Sequence, residues 1–108
     1  MANPMAGEVE VVLDGVPHVA KLTLGALAEL EAELAESDLL GLVARFEAGR
    51  VSSRDVLALL VAGLRGGGWQ GRAAELRSVE IGGGPVAAAR IAAELLARAF
   101  SVPGGAGE

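Results

Sequence analysis

Cysteine is absent from this chain, tyrosine is absent, and the aromatic side chains are three: Phe46, Trp69 and Phe100. Without cysteine there is no disulfide, no thiol nucleophile and no thiolate metal site, a pattern that fits a cytoplasmic protein. Histidine occurs once, as His18. A triad-type nucleophilic centre needs a nucleophile, a base and an orienting group within reach of each other. His18 is the single histidine base on offer. Ser37, Ser52 and Ser53 stand where helix capping accounts for them. His18 is therefore expected to be structural, on or beside a hairpin face.

Positive charge is also scarce. Nine basic residues face fourteen acidic ones, for a net charge of −5. Nucleic-acid binding draws on a basic footprint that displaces counterions from phosphate, so this balance argues against a DNA or RNA partner. The excess is local: residues 1–54 hold nine acids and four bases, and residues 55–108 hold five of each. An electrostatic partner surface belongs in the first half and favours basic ligands. No apolar run approaches the roughly 18–20 residues that span a bilayer, and no secretion signal is visible in residues 1–7.

Metal and phosphate motifs are missing too. Glu29, Glu31, Glu33, Glu36 and Asp38 are dense, but they lack the glycine-turned loop of a calcium site. They read as a solvated acidic face or as a docking patch for a basic partner. A phosphate loop places Lys and then Ser or Thr after its last glycine. Gly66-Gly67-Gly68 is followed by Trp69, and Gly82-Gly83-Gly84 by Pro85, so both triplets read as helix breaks. No catalytic residue, metal or cofactor is expected, and the chain is expected not to be an enzyme.

What is present is an apolar fraction of 52%, enough for a folded core. Residues 8–13 alternate as a strand, Asp14-Gly15 has the chemistry of a two-residue hairpin turn, and residues 16–23 return. Counting outward from that turn pairs Leu13 with Val16, Val11 with His18, and Val9 with Ala20. Val9, Val11, Leu13, Val16, Ala20 and Leu22 then share the inner face. Pro17, which has no N–H, suits an unpaired side of its strand.

Helices follow. Thr23 caps a helix from Leu24 to Ala35 with Leu27, Leu30 and Leu34 as its buried stripe. Ser37 caps a second, Asp38 to Ala48, with Leu39, Leu42, Val43 and Phe46 inward and Gly49 as its end. Ser52 and Asp55 form a capping-box pattern for a third, with Val51 and Val56 as hydrophobic staple. That helix is apolar around most of its circumference and should lie in the middle of the domain. A short helix fits Arg72 to Arg77. A last one runs from Pro85 to about Phe100, with Ala88, Ile91, Leu95, Ala99 and Phe100 inward and Arg90, Glu94 and Arg98 as an exposed ladder. The fold class is α+β, mainly α: an N-terminal hairpin packed on four to five short helices over residues 8–100, with loose ends at 1–7 and 101–108.

Trp69, between glycines, reads either as a plug folded onto the core or as a projecting anchor for a partner. With Leu64, Arg65, Glu29, Glu33 and Glu36 it makes the candidate partner-binding set.

Two stretches carry a resemblance. The first is Glu-Val-Glu-Val-Val-Leu-Asp-Gly at 8–15, continued by Leu-Thr-Leu-Gly-Ala-Leu-Ala-Glu-Leu-Glu at 22–31. The second is Gly-Arg-Val-Ser-Ser-Arg-Asp-Val at 49–56, continued by Ala-Gly-Leu-Arg-Gly-Gly-Gly at 62–68. In order and spacing they resemble the small proteins of the tail gene block in bacterial gene transfer agents and related siphophages. That family is labelled either tail tube protein or tail assembly chaperone. The resemblance implies a chaperone in the bacterial cytoplasm. It would cover the aggregation-prone tape measure protein until the tail tube polymerises around it, with the tail tube protein as a second partner and a homo-oligomer compatible. The alternatives are a structural component of the tail and, more distantly, a small acidic protein-binding adaptor. The family supplies no catalytic residues.

Overall fold

The computed structural model describes residues 7–33 and 39–100. Two strands, β1 (Val9–Leu13) and β2 (Val16–Ala20), form an antiparallel hairpin. Five helices follow: α1 (Leu24–Glu33), α2 (Leu39–Glu47), α3 (Ser53–Gly66), α4 (Ala73–Leu76) and α5 (Gly84–Ala99). This is the α+β, mainly α architecture that the sequence patterning predicts. The expected loose ends, apart from Gly7, lie outside the described residues, as do Leu34, Glu36, Ser37 and Asp38.

The hairpin register is set by its turn. Asp14 and Gly15 both adopt positive φ, 50° and 80°, which matches the right-handed twist of the flanking strands. Leu13 then pairs with Val16, Val11 with His18 and Val9 with Ala20, as counted from the sequence. Val9, Val11, Leu13, Ala20 and Leu22 are buried. Val16 is not: it is 55% exposed. The helices cover the Ala20 end of β2, where the Lys21 N–H donates to the Gly63 carbonyl at 2.8 Å, and Val16 lies at the opposite end. That same bond takes the chain out of the sheet, so β2 stops at Ala20 and not at residue 23.

A third segment joins the sheet edge. Leu13 bridges Ile81 in antiparallel fashion. The Asp14 N–H donates to Glu80 O at 2.8 Å, and the Gly82 N–H donates to Val12 O at 2.9 Å. Asp14 Oδ1 accepts from the Glu80 N–H at 2.9 Å. These bonds satisfy backbone groups on the outer side of β1, which an isolated hairpin would leave to water.

Helix α3 is central, with α1, α4, α5 and β2 packed against it. Leu59, Leu60 and Leu64 are essentially inaccessible. Complete burial of such side chains is worth roughly 1.5–3 kcal/mol each. Its start is as the sequence predicts. The Asp55 N–H donates to Ser52 Oγ at 3.1 Å, and the Ser52 N–H donates to Asp55 Oδ2 at 3.2 Å. Asp55 does a second job that spacing alone does not reveal. Arg45 of α2 clasps its carboxylate through Nε at 3.2 Å and Nη2 at 2.9 Å. Burial by itself raises the Asp55 carboxyl pKa. The Arg45 guanidinium and the Ser52 N–H outweigh that and hold it below the usual aspartate value.

Helix α1 starts with Thr23 Oγ1 accepting from the Ala26 N–H at 3.1 Å. Leu30 and Ala26 are its buried residues, and Leu27 is half-buried. In α2, Leu42 is fully buried while Leu39, Val43 and Phe46 are half-buried. Helix α5 buries Ala87, Ala88, Ile91, Ala92, Leu95 and Leu96. Phe100 departs from the expected stripe: it caps α5 and is 43% exposed. The exposed ladder is also only partly so. Arg90 is exposed, but Glu94 and Arg98 are half-buried because α5 packs over β1 and carries them beside Glu8 and Glu10.

Candidate functional site

The last turn of α3 and the loop after it supply three of the six candidate partner-binding residues, Leu64, Arg65 and Trp69. The glycine triplet does more than stop the helix. A Cβ on Gly66 would overlap the Lys21 carbonyl oxygen, and one on Gly67 would overlap that of Val19. Bare glycine backbone lets the end of α3 sit directly on β2. Gly68 then takes a φ of 109°, and the chain turns back. The Trp69 N–H donates to Leu64 O at 2.9 Å.

This turn sets Trp69 beside α1. Its side chain is half-buried and lies over Gly71, where a Cβ would overlap the indole ring. Arg65 links the parts. Its Nε donates to Glu29 Oε1 at 3.2 Å, and its Nη1 donates to Gly71 O at 3.2 Å. The Glu29–Arg65 ion pair is exposed, with side chains 55% and 41% accessible. A hollow of about 570 Å³ is bordered by Glu29, Arg65 and Trp69 together with Thr23, Ala26 and Gln70. On the other side of the ion pair lies a groove of about 390 Å³ that includes Glu33.

Glu29, Glu33, Arg65 and Trp69 therefore share one surface. Leu64 does not present its side chain there. It is 0% exposed, because the apolar face of α3 turns it into the core, and it serves the site through its carbonyl group. Glu36 lies outside the described residues. The sequence reading missed Gly71, whose bare backbone seats the indole, and Arg72, which borders the groove. The Gly-Trp-Gln-Gly spacing was the available signal for the first.

A larger apolar groove, about 830 Å³, runs between the start of α3, α4 and the start of α5, with Val56, Leu57, Val79, Ile81 and Ala88 in its walls. It has no counterpart in the sequence reading, since its walls come from three separate segments.

Among the described residues, no group of three His, Cys, Asp or Glu side chains is placed to hold a metal ion. Among them, too, no helix is long and apolar enough to cross a membrane. His18 is half-buried in β2 opposite Val11, the structural position expected of it. Asp55, whose pKa is displaced, is committed to a helix cap and to Arg45. The arrangement is that of a small, helix-rich protein with an N-terminal two-strand hairpin. The family described as "Phage tail tube protein, GTA-gp10" matches residues 6–102, and the chain belongs to it. It is a family of phage tail proteins, not a class of enzymes. Comparisons with curated proteins and with solved structures give no match.

Proposed function

We propose that this family member serves tail assembly as a chaperone that binds the tape measure protein and keeps it soluble until the tail tube polymerises. One observation carries the reading: the sheet is two strands wide, and the outer side of β1 is already engaged at residues 12–14. The outer side of β1 pairs with residues 80–82, and the end of β2 is held by α3. A tube subunit usually contributes a larger β framework to its ring. A sheet this small has little to add to a neighbour's sheet. A long tape measure with exposed apolar helical faces needs temporary cover, and grooves beside helices suit that task. Its site of action would be the cytoplasm of the bacterial cell, with the tail tube protein as a second partner.

The family description favours a second reading, a structural component that stays in the tail. Quantitative mass spectrometry of purified particles separates the two. The chaperone reading expects the chain to be absent from finished particles and to co-purify with a co-expressed tape measure fragment. Stoichiometric retention in the particle overturns it in favour of the structural component.

A further inference from the structure

The groove on the far side of the Glu29–Arg65 pair has an uneven charge pattern. Its floor is apolar and built of short side chains: Leu30 and Ala62 are buried, and Ala58 and Val61 are half-buried. Its α1 side carries Glu29 and Glu33, and its other side carries Arg65 and Arg72. Glu29 and Arg65 neutralise each other across it. Glu33 and Arg72 are both exposed, and neither has a side-chain ion pair among the described residues. Among the described residues, one open anion and one open cation thus remain on opposite rims.

Resting on the chaperone reading above, we infer that this groove takes one amphipathic helix of the tape measure protein in a fixed rotational setting. That helix turns an apolar stripe to the floor, a Lys or Arg flank to Glu33 and an Asp or Glu flank to Arg72. The short floor side chains leave the volume to be filled by Leu-sized residues of the partner. Opposed rim charges select among apolar helices, because a helix seated with its flanks exchanged places like charges together. The larger groove beside α4 and α5 also carries exposed charges, Arg77 and Glu80, but both belong to the one segment that runs from α4 to Ile81, so they do not face each other as the two rims of this groove do.

The test is co-purification of the full chain with a co-expressed tape measure fragment. The variants are Ala32→Trp, which fills the groove from the exposed face of α1, Glu33→Arg and Arg72→Glu. Val86→Arg, on the exposed face of α5, is the control. Each variant's fold is checked by circular dichroism and its mass by light scattering. The expected result is capture by the wild type and by Val86→Arg, with about tenfold weaker capture by the three groove variants. Wild-type levels of capture by all three overturn the groove while leaving the chaperone reading intact. No capture by the wild type overturns both. A change in the chain's own mass in the groove variants assigns the groove to a second copy and overturns the inference.

Discussion

The last two turns of α3 build two regions that differ in kind. Toward the hairpin, Gly66 and Gly67 lay backbone against the Lys21 and Val19 carbonyls, and Gly63 O accepts the Lys21 N–H. Toward α1, the same turns present Arg65 to Glu29 and to Gly71 O, through a long side chain that stays accessible. The first contact has no room for adjustment, because close-packed backbone cannot repack. The second can part and re-form with little loss. Rigid junction and adjustable surface lie on opposite sides of one helix end, so the hairpin is fixed while the candidate site is left free to meet a partner.

The comparison breaks most readily at the junction. Gly67→Ala puts a methyl group onto the Val19 carbonyl, and Gly66→Ala onto that of Lys21. Neither change is cushioned by a flexible side-chain end. Each is expected to destabilise the fold by about 3 kcal/mol or more, within the upper range for overpacked sites. Against a typical net stability of roughly 5–15 kcal/mol, such a loss removes a large share. Urea denaturation followed by circular dichroism measures it. A midpoint within error of the wild type would show that α3 and β2 do not meet as closely as described.

An intermediate case is the clasp between Arg45 and Asp55, whose side chains are 30% and 9% accessible. Arg45→Met leaves Asp55 capping α3 without its cation. The expected loss at pH 7 is about 1–2 kcal/mol, below the value for a wholly buried pair because Arg45 is partly solvated. The pH dependence has a definite sign. Asp55 has a lowered pKa in the fold, so its contribution is complete above the ordinary value of 3.8 and declines as pH falls through the lowered one. The gap between wild type and Arg45→Met should therefore narrow below about pH 4. Urea midpoints at pH 7 and pH 3 give the measurement, and an equal gap at both would remove Asp55 as its source.

These two cases also mark what sequence can reveal. Local chemistry was legible: Asp14-Gly15 set the hairpin register, and Ser52 with Asp55 set the start of α3. Contacts between distant segments were not. Nothing in the spacing ties Arg45 to Asp55, Leu13 to Ile81, or Gly67 to Val19, since each depends on how separate elements come together. Val16 shows the same limit from the other side. Alternation placed it inward with Leu13, but only packing decides how far the helices reach along the sheet. At the candidate site, Glu29, Arg65 and Trp69 were legible as unusual residues, whereas the Gly71 seat and the opposite rim at Arg72 were not.

Trp69 sharpens the contrast further. It is the sole tryptophan, so intrinsic fluorescence reports on this loop alone. Trp69→Ala removes a half-buried ring from Gly71 and is expected to cost about 1–2 kcal/mol, well short of the 3–5 typical for large aromatics in a closed core. A tryptophan-free tape measure fragment that reaches past the Glu29–Arg65 pair into the hollow should shift the emission maximum. An unchanged spectrum on saturating binding would confine the contact to the groove on the far side of that pair.

The smallest stability effect belongs to Glu29→Gln. An exposed ion pair between long side chains typically contributes 0.2–1 kcal/mol, and salt screens it. Glu29 also sits four residues before Glu33 on α1, a like-charge spacing that costs a few tenths. Removing one acid relieves that repulsion, so the net change should fall within about 0.5 kcal/mol of zero. The consequence for the site is separate. Arg65 keeps its bond to Gly71 O but loses its partner on α1, which leaves a cation between the hollow and the groove. A partner helix that brings a basic flank to α1 would keep its attraction to Glu33 but meet repulsion from Arg65, whose charge Glu29 no longer offsets. Glu29→Gln should thus leave the thermal midpoint nearly unchanged while weakening capture of the tape measure fragment, more at low salt than at high. A drop in stability as large as that of Arg45→Met would mean that the accessible side of α3 is part of the rigid junction, and the division between the two regions would fail.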